Sequence, residues 1–382
     1  MRILAIVTLF LTAIVATVLD ASAEVVGGLT LAFPAAAGTI EIGEMAAELK
    51  KLFKTQPGLP TKWFYDKSIQ IRQYARRVTK IKDEYHIPFA LMGPVIQGYK
   101  KDWTPMGKLD LLARTIQNYH LKIDLPIDPD DILGAYLGEV MYEEDKALKD
   151  RSISMYIANW VGERVTHDLN ILSIDGEYDA SLMNTDFGYS MKGLNRILTD
   201  NIAATEAGTA THPYFMIPGE NALDEDNVLT EVRAFEKNLP KRFRNHVKQI
   251  FIERSYYDEY MDAYRLLHGG DTNVKDADYT MTYGGRKLVP LDSDKLGNKI
   301  FATIDNNILD LVDANNEPRI HDVQTDKRQV VLLGEGRAGF DFGINQAVFV
   351  RSENTSELGL NNSEQNSMFY DINETSGSGS GS

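Results

Sequence analysis

Between Asp150 and Gly176 the apolar residues Ile153, Tyr156, Ile157, Trp160, Val161, Val165, Leu169 and Leu172 recur every three or four positions, which predicts an amphipathic helix. At about 1.5 Å per residue, a helix from Ser152 to Ser173 spans roughly 33 Å, the width of a small domain. Ser152 or Asp150 supplies an N-cap, and Asp175-Gly176 a turn beyond the end. Asn159, Glu163, Arg164, His167 and Asp168 make the opposite, polar face. β-rich sequence lies on both sides, so one spine helix in mid-chain constrains the rest.

Before it, residues 24–62 mix Gly, Ala and Pro around one helical piece near Glu44 to Phe53, the pattern of an extended arm. From Asp66 to Tyr85, Ile71, Tyr74, Val78, Ile81 and Tyr85 keep helical spacing. Arg72, Arg76, Arg77, Lys80 and Lys82 crowd the other side, as a solvated face or a contact with a polyanion or an acidic neighbour. Gly and Pro punctuate residues 87–131, which read as a two-stranded excursion, out through about Tyr99 and back through Tyr119 to Ile123. Asp128-Pro129-Asp130-Asp131 closes it and caps a helix through Leu133, Tyr136, Leu137, Val140 and Met141. Two protruding strands without a third are marginally stable in water, so they call for a partner chain.

After the spine the pattern turns to α+β. Met191–Ile202 and Asp224–Leu239 read as helices and Val247–Ile252 as a buried strand; Ser255 opens a helix carrying Tyr256, Tyr257, Tyr260, Met261 and Tyr264. This aromatic stripe favours core packing over a ligand box, with hydroxyls at the rim. Strands follow at Tyr279–Tyr283, Lys287–Leu291 and Lys299–Thr303, then a closing antiparallel pair, Val330–Leu333 and Phe340–Val350, across the turn GEGRAG. Beyond Ser352 the chain is polar and ends in GSGSGS, a flexible tail or an appended linker.

Charge narrows the function. A net charge of −15 over 382 residues argues against a dedicated nucleic-acid binder, whose surface must be basic. The absence of cysteine removes disulfides, thiolate nucleophiles and Cys-ligated metals, leaving burial or contacts with other chains to supply stability. At the N-terminus, Arg2, the apolar run Ile3–Leu19 and Ala21-Ser22-Ala23 fit a secretory signal with a mature start near Glu24. A membrane anchor and an apolar arm buried among neighbouring chains fit the same run.

Catalytic chemistry finds little support. Gly334-Glu335-Gly336-Arg337-Ala338-Gly339 matches the dinucleotide fingerprint, but FDFGINQAVFV after it alternates like a strand where a helix must open. Histidines 86, 120, 167, 212, 246, 268 and 321 are scattered, none paired at zinc spacing. Asp128/Asp130/Asp131 and Asp224/Glu225/Asp226 sit where helix N-termini favour acids, and Glu139, Glu143, Glu144 and Asp145 lie on a solvated helix face. Asn354, Asn361 and Asn373 open glycosylation-type triplets in a polar tail. No catalytic, cofactor-binding or metal-ligating residue is assigned.

In order, KIDLPIDPDDIL, SISMYIANWVGERVTHDLNILSIDG, KGLNRILTDNI, FEKNLPKRFRN, VKQIFIERSYYDEYMDAY, TYGGRKLVPLDSDKLGNKIFATIDNNILDLVD and VVLLGEGRAGFDFGINQAVFV resemble segments of the major capsid proteins of tailed bacteriophages, the Hong-Kong-97-type fold. The resemblance covers roughly Tyr85 to Val350 and lies in layout and phrasing, with no single diagnostic motif. It implies an α+β chain: N-terminal apolar segment and arm (1–62), arm helix (63–86), extended hairpin loop (87–131) and peripheral domain with the spine helix (132–185). An axial domain (186–320), closing peripheral strands (321–351) and a flexible polar tail (352–382) complete it. The implied function is structural: self-assembly through hexamers and pentamers into an icosahedral shell around double-stranded phage DNA, in the virion, after assembly in the host cytoplasm. Portal, scaffold or decoration proteins are the implied partners, with weak DNA contacts through patches such as Arg72–Lys82 or Lys241-Arg242-Arg244 and no stable membrane association. The alternatives are a nanocompartment shell of the same fold, or an exported ligand-binding protein with a cleaved signal.

Overall fold

The computed structural model of the chain describes residues 42–128, 153–268, 282–313, 318–354 and 358–370. Outside them lie the apolar N-terminal run, the helix expected through Leu133 to Met141, the acids Asp130, Asp131, Glu139, Glu143, Glu144 and Asp145, residues 279–281, Asn373 and the terminal GSGSGS.

In chain order, helix α1 (Ile42–Thr55) and short α2 (Gly58–Phe64) lead through a 3-10 turn at Gln70–Gln73 to strand β1 (Arg76–Thr79). Strands β2 (Glu84–Met92) and β3 (Leu109–Gln117) form a hairpin, and β4 (Tyr119–Ile127) follows. The spine is α3 (Ile153–Asp175). Next come α4 (Leu194–Glu206), β5 (Phe215–Pro218), α5 (Val228–Lys237), β6 (Gln249–Glu253) and α6 (Arg254–His268). The chain closes with β7 (Lys287–Leu291), β8 (Phe301–Thr303), β9 (Ile308–Val312), β10 (Arg319–Asp326), β11 (Gln329–Phe342), β12 (Val348–Ser352) and α7 (Ser363–Tyr370). One sheet has the order β1-β9-β11-β10 with β4 also on β11; a second is β5-β12-β8-β6-β7; the hairpin β2-β3 stands apart. Helices and mixed sheets thus alternate, an α+β architecture.

Two compact units divide the chain, and the boundary between them falls inside α3, β4, β10 and β11. The smaller takes described residues from Met1–Thr55, Asp124–Ala158 and Asp322–Leu333. Here α1 buries Met45, Ala46, Leu49 and Phe53 at helical spacing. Lys50 reaches Asp322 at 2.6 Å, and Ser154 Oγ donates to Glu48 at 2.9 Å. The larger unit holds two extensive cores: one gathers Leu169, Leu172, Phe251, Phe301, Phe340 and Phe342, the other Phe215, Phe235, Ile250, Tyr260, Phe349 and Tyr370. Tyr260 is buried, with Tyr256, Tyr257, Met261 and Tyr264 packed around this second core, so the aromatic stripe of α6 fills a domain interior.

Several expectations are corrected. Residues 66–85 are not a helix. Asp66 accepts from the Ser68 amide at 2.7 Å in a turn, and β1 pairs in parallel with β9, where β-branched Val78 and Thr79 suit the pleat. The basic residues there are not a uniform solvated face either: Arg72 is buried against Asp310 at 3.2 Å, with Arg77 at 3.3 Å on the same carboxylate. The outgoing strand of the excursion returns through Leu109–Gln117; Tyr119–Ile127 belongs to the first sheet. GEGRAG is no turn but the middle of β11. Its glycines admit close neighbours: a Cβ at Gly336 would land on the Phe64 ring, one at Gly334 2.8 Å from Ile320 Cδ1, and one at Gly339 2.6 Å from the Gln117 carbonyl. Of the strand expected at Tyr279–Tyr283, the described residues Thr282 and Tyr283 lead into a turn with Gly285 at φ +77°. The tail is ordered in part: α7 buries Met368, Phe369 and Tyr370 in the second core.

Candidate assembly surface

The β2-β3 hairpin is built by alternation. Nine antiparallel rungs run from Glu84↔Gln117 to Met92↔Leu109. Its inward face carries Tyr85, Ile87, Phe89 and Leu91 on β2 and Leu112, Arg114 and Ile116 on β3, matching the half-buried period of two. Leu91 is fully buried in the second core, and Ile116 meets Leu309 and Leu311. Arg114 donates to the Phe342 carbonyl and, at 2.5 Å, to Asp341 Oδ1. Burial raises the Asp341 carboxyl above its usual range, with Arg114 pulling the other way. On the outward face His86 Nδ1 lies 2.8 Å from Thr115 Oγ1, and neither edge of the hairpin pairs with a third strand among the described residues.

Beyond Met92 and Leu109 the loop is tied to the body at its base, where Lys108 pairs with Glu364 on α7, and otherwise bonds to itself. Gly93 N donates to the Lys108 carbonyl at 3.0 Å, and Gln97 Nε2 to the Thr104 carbonyl at 2.7 Å. Gly107 at φ +90° makes the return, where a side chain would also crowd the Pro94 carbonyl. The residues so displayed are apolar: Tyr99 is 96% and Trp103 87% exposed, with Val95, Ile96, Met106, Leu109 and Leu111 also in solvent. Contiguous apolar surface on a projecting element marks an interaction site.

The other candidates are absorbed by structure. Arg244 donates to the Lys237 and Leu239 carbonyls at the end of α5; Arg242 donates to the Phe369 carbonyl at 2.5 Å and lies over Phe243 and Phe369. Asp224 accepts from the Asp226 and Asn227 amides, as an acid before a helix does. Asn361 spends its side-chain amide on the Thr205 carbonyl at 2.9 Å. Sequence spacing did not reveal that His120 on β4 and Arg319 and His321 on β10 converge on Glu335 of β11, at 3.1, 3.1 and 2.7 Å; only pairing brings them together. Led by the His321 hydrogen bond, they hold the Glu335 carboxyl down to about 2. Among the described residues no group of three His, Asp or Glu is placed to hold a metal ion. A cleft of about 570 Å³ beside the hairpin root is lined by Arg114–Asp341 and Lys192–Asp200, pairs that neutralise each other, along with His212, whose ring burial lowers in pKa. Nor is any helix among the described residues long and apolar enough to cross a membrane.

No family model matches the sequence, and no curated protein matches it. Solved structures do show likeness. A chain from the capsid of Myoviridae phage XM1 is similar over 71% of this chain and 86% of its own, at 11% identity and a TM-score of 0.46. One from the satellite phage P4 procapsid, which includes the size-determination protein, is similar over 87% and 97%, at 10% identity and 0.48. One from the capsid of a native GTA particle is similar over 75% and 97%, at 13% identity and 0.46.

Proposed function

We propose that this chain is the repeating subunit of an icosahedral shell of the Hong-Kong-97 type, the major capsid protein of a tailed bacteriophage enclosing double-stranded DNA. The observation that carries the reading is the hairpin: nine rungs anchored at the root and ending in exposed Ile96, Tyr99 and Trp103, which a solitary chain leaves in water. An element completed only by a copy of itself gives repeated contacts around rotation axes, hence hexamers and pentamers, with strength from summed area. No reaction is required of such a subunit. The spine and closing strands are then peripheral, and the segment 186–320 axial. The net charge of −15 lets a wall surround DNA without adhering to it, so contacts with the genome are weak and local. Electron microscopy of the purified chain tests the proposal: uniform closed particles are expected, and a chain that stays monomeric at every concentration and salt overturns it.

A further inference from the structure

Two stretches far apart in the chain meet in the second core. The hairpin contributes Leu91, fully buried, with Phe89 and Leu112 packed beside it, and α7 contributes Met368, Phe369 and Tyr370. α7 lies against β2, and at the hairpin's base Lys108 pairs with Asp110, at 3.3 Å, and with Glu364. The two ends of the hairpin's root are therefore held differently. Near Gln117, Ile116 packs on β9 and Arg114 bonds to β11. Near the tip, the strands rest on Leu91 and α7.

Residues 358–370 have the build of a strap. A bridge of two hydrogen bonds joins them to the free edge of β5: Met216 N donates to the Gly359 carbonyl at 2.8 Å, and Gly359 N to the Met216 carbonyl at 3.1 Å. Further on, Arg242 donates to the Phe369 carbonyl and the Tyr370 hydroxyl to the Gln346 carbonyl. The Tyr370 ring meets Phe215 edge-on at 4.5 Å, while Phe369 stacks on Phe243. A helix of eight residues does not hold itself together in water, so α7 forms only while docked. Undocking removes the partner of Lys108 and opens the core beside Leu91 in one step. We propose that residues 358–370 are a latch on the hairpin: docked, they fix the tip-side end of its root, and released, they free it. The latch belongs to the single chain. Its use rests on the shell reading, in which release leaves a copy without an aimed hairpin and keeps it out of assembly.

Native-state hydrogen exchange of the full, unassembled chain at low urea tests the latch. Amides of α7, of residues 89–92 and of residues 110–112 are expected to open together, with one free energy and one urea dependence, below the level at which β9 opens. Hairpin amides that open at a different level from α7, or that open only with β9, overturn it. Tyr370→Ala, which removes a buried ring from the latch, is expected to speed exchange at residues 89–92 about a hundredfold. Leu172→Ala empties the first core and destabilises the docked and released forms alike, so it leaves that exchange unchanged. No acceleration with Tyr370→Ala, or equal acceleration with Leu172→Ala, overturns the latch; if a variant does not fold, the exchange of the unsubstituted chain decides. These readings come from single chains, so their failure leaves the shell standing, while failure of the unsubstituted chain to form particles overturns the shell alone.

Discussion

Asp310→Asn is the most exacting test of how the larger unit is held. The Asp310 and Arg72 side chains are each 2% exposed and 3.2 Å apart, and the Arg72 guanidinium lies over the Tyr65 and Phe340 rings at 5.4 and 5.3 Å. Removing the carboxylate charge strands a guanidinium that cannot shed its proton, while Arg77, 43% exposed, can turn to water. Breaking a buried pair from one side costs about 3–5 kcal/mol. The ring contacts, worth roughly 2 kcal/mol when desolvated, survive and place the expected loss near 3 kcal/mol. Against a total stability of about 5–15 kcal/mol this is a large fraction. Urea denaturation of the unassembled chain, followed by emission of buried Trp63, reads it as a midpoint about 1 M lower for a slope near 3 kcal/mol/M. Arg72→Met/Asp310→Leu, which leaves no charge stranded between the two, is expected to recover most of the loss. A single-variant cost below about 1 kcal/mol, or a double variant no better than the single, refutes the reasoning.

Glu335, held down to about 2 from 4.5, contributes stability that is complete above pH 4.5 and lost as pH falls towards 2; the denaturation midpoints of the native chain and Glu335→Gln should therefore converge over that window. Gly336→Ala sets a methyl against the rigid Phe64 ring and is expected to cost about 1–3 kcal/mol, read by thermal melting, whereas Gly98→Ala, with open space around it, stays within about 0.5 kcal/mol. Phe369→Ala removes a ring stacked on Phe243 at 5.4 Å and should cost about 3–5 kcal/mol in the same assay. Arg114→Met loosens the hairpin root from Asp341 and Phe342; the chain is expected to assemble into particles of broadened diameter under the microscope, and uniform particles of unchanged size would contradict a rigid root.

What the sequence made legible was local. The spine, read as Ser152–Ser173, is Ile153–Asp175, because a three-and-four apolar period is visible without tertiary context. Even there Trp160 went to the wrong face: it lies three residues from Ile157, yet shares the exposed side with Asn159 and Glu163. Residues 71–85 show why such spacing fails for short segments. Ile71 and Val78 keep helical intervals, but the parallel partner that makes 76–79 a strand lies more than 230 residues away. Gly336 carried a signal that was misread, since a glycine inside a strand marks close approach as readily as a turn. The excursion was legible from its Gly and Pro punctuation and its alternation, but its return register depends on the pairing of Leu91 with Asp110 and of Phe89 with Leu112, which no local pattern encodes.

The hairpin's two halves have opposite demands, and the residues divide accordingly. Along the root, Leu91, Ile116 and the Arg114–Asp341 pair fix the strands to the body, so the tip is carried as a lever rather than a loose loop. A lever sets direction: the angle between successive copies follows from the root, while affinity follows from what the tip touches. Pre-ordering both partners removes most of the entropy that a flexible arm loses on docking. On the shell reading, a contact too weak to hold two copies can still hold a closed ring, because each subunit is engaged by two neighbours. On the shell reading, that division lets exposed Trp103 and half-buried Arg114 serve one assembly while responding to substitution in different ways: one through the number of particles formed, the other through their size.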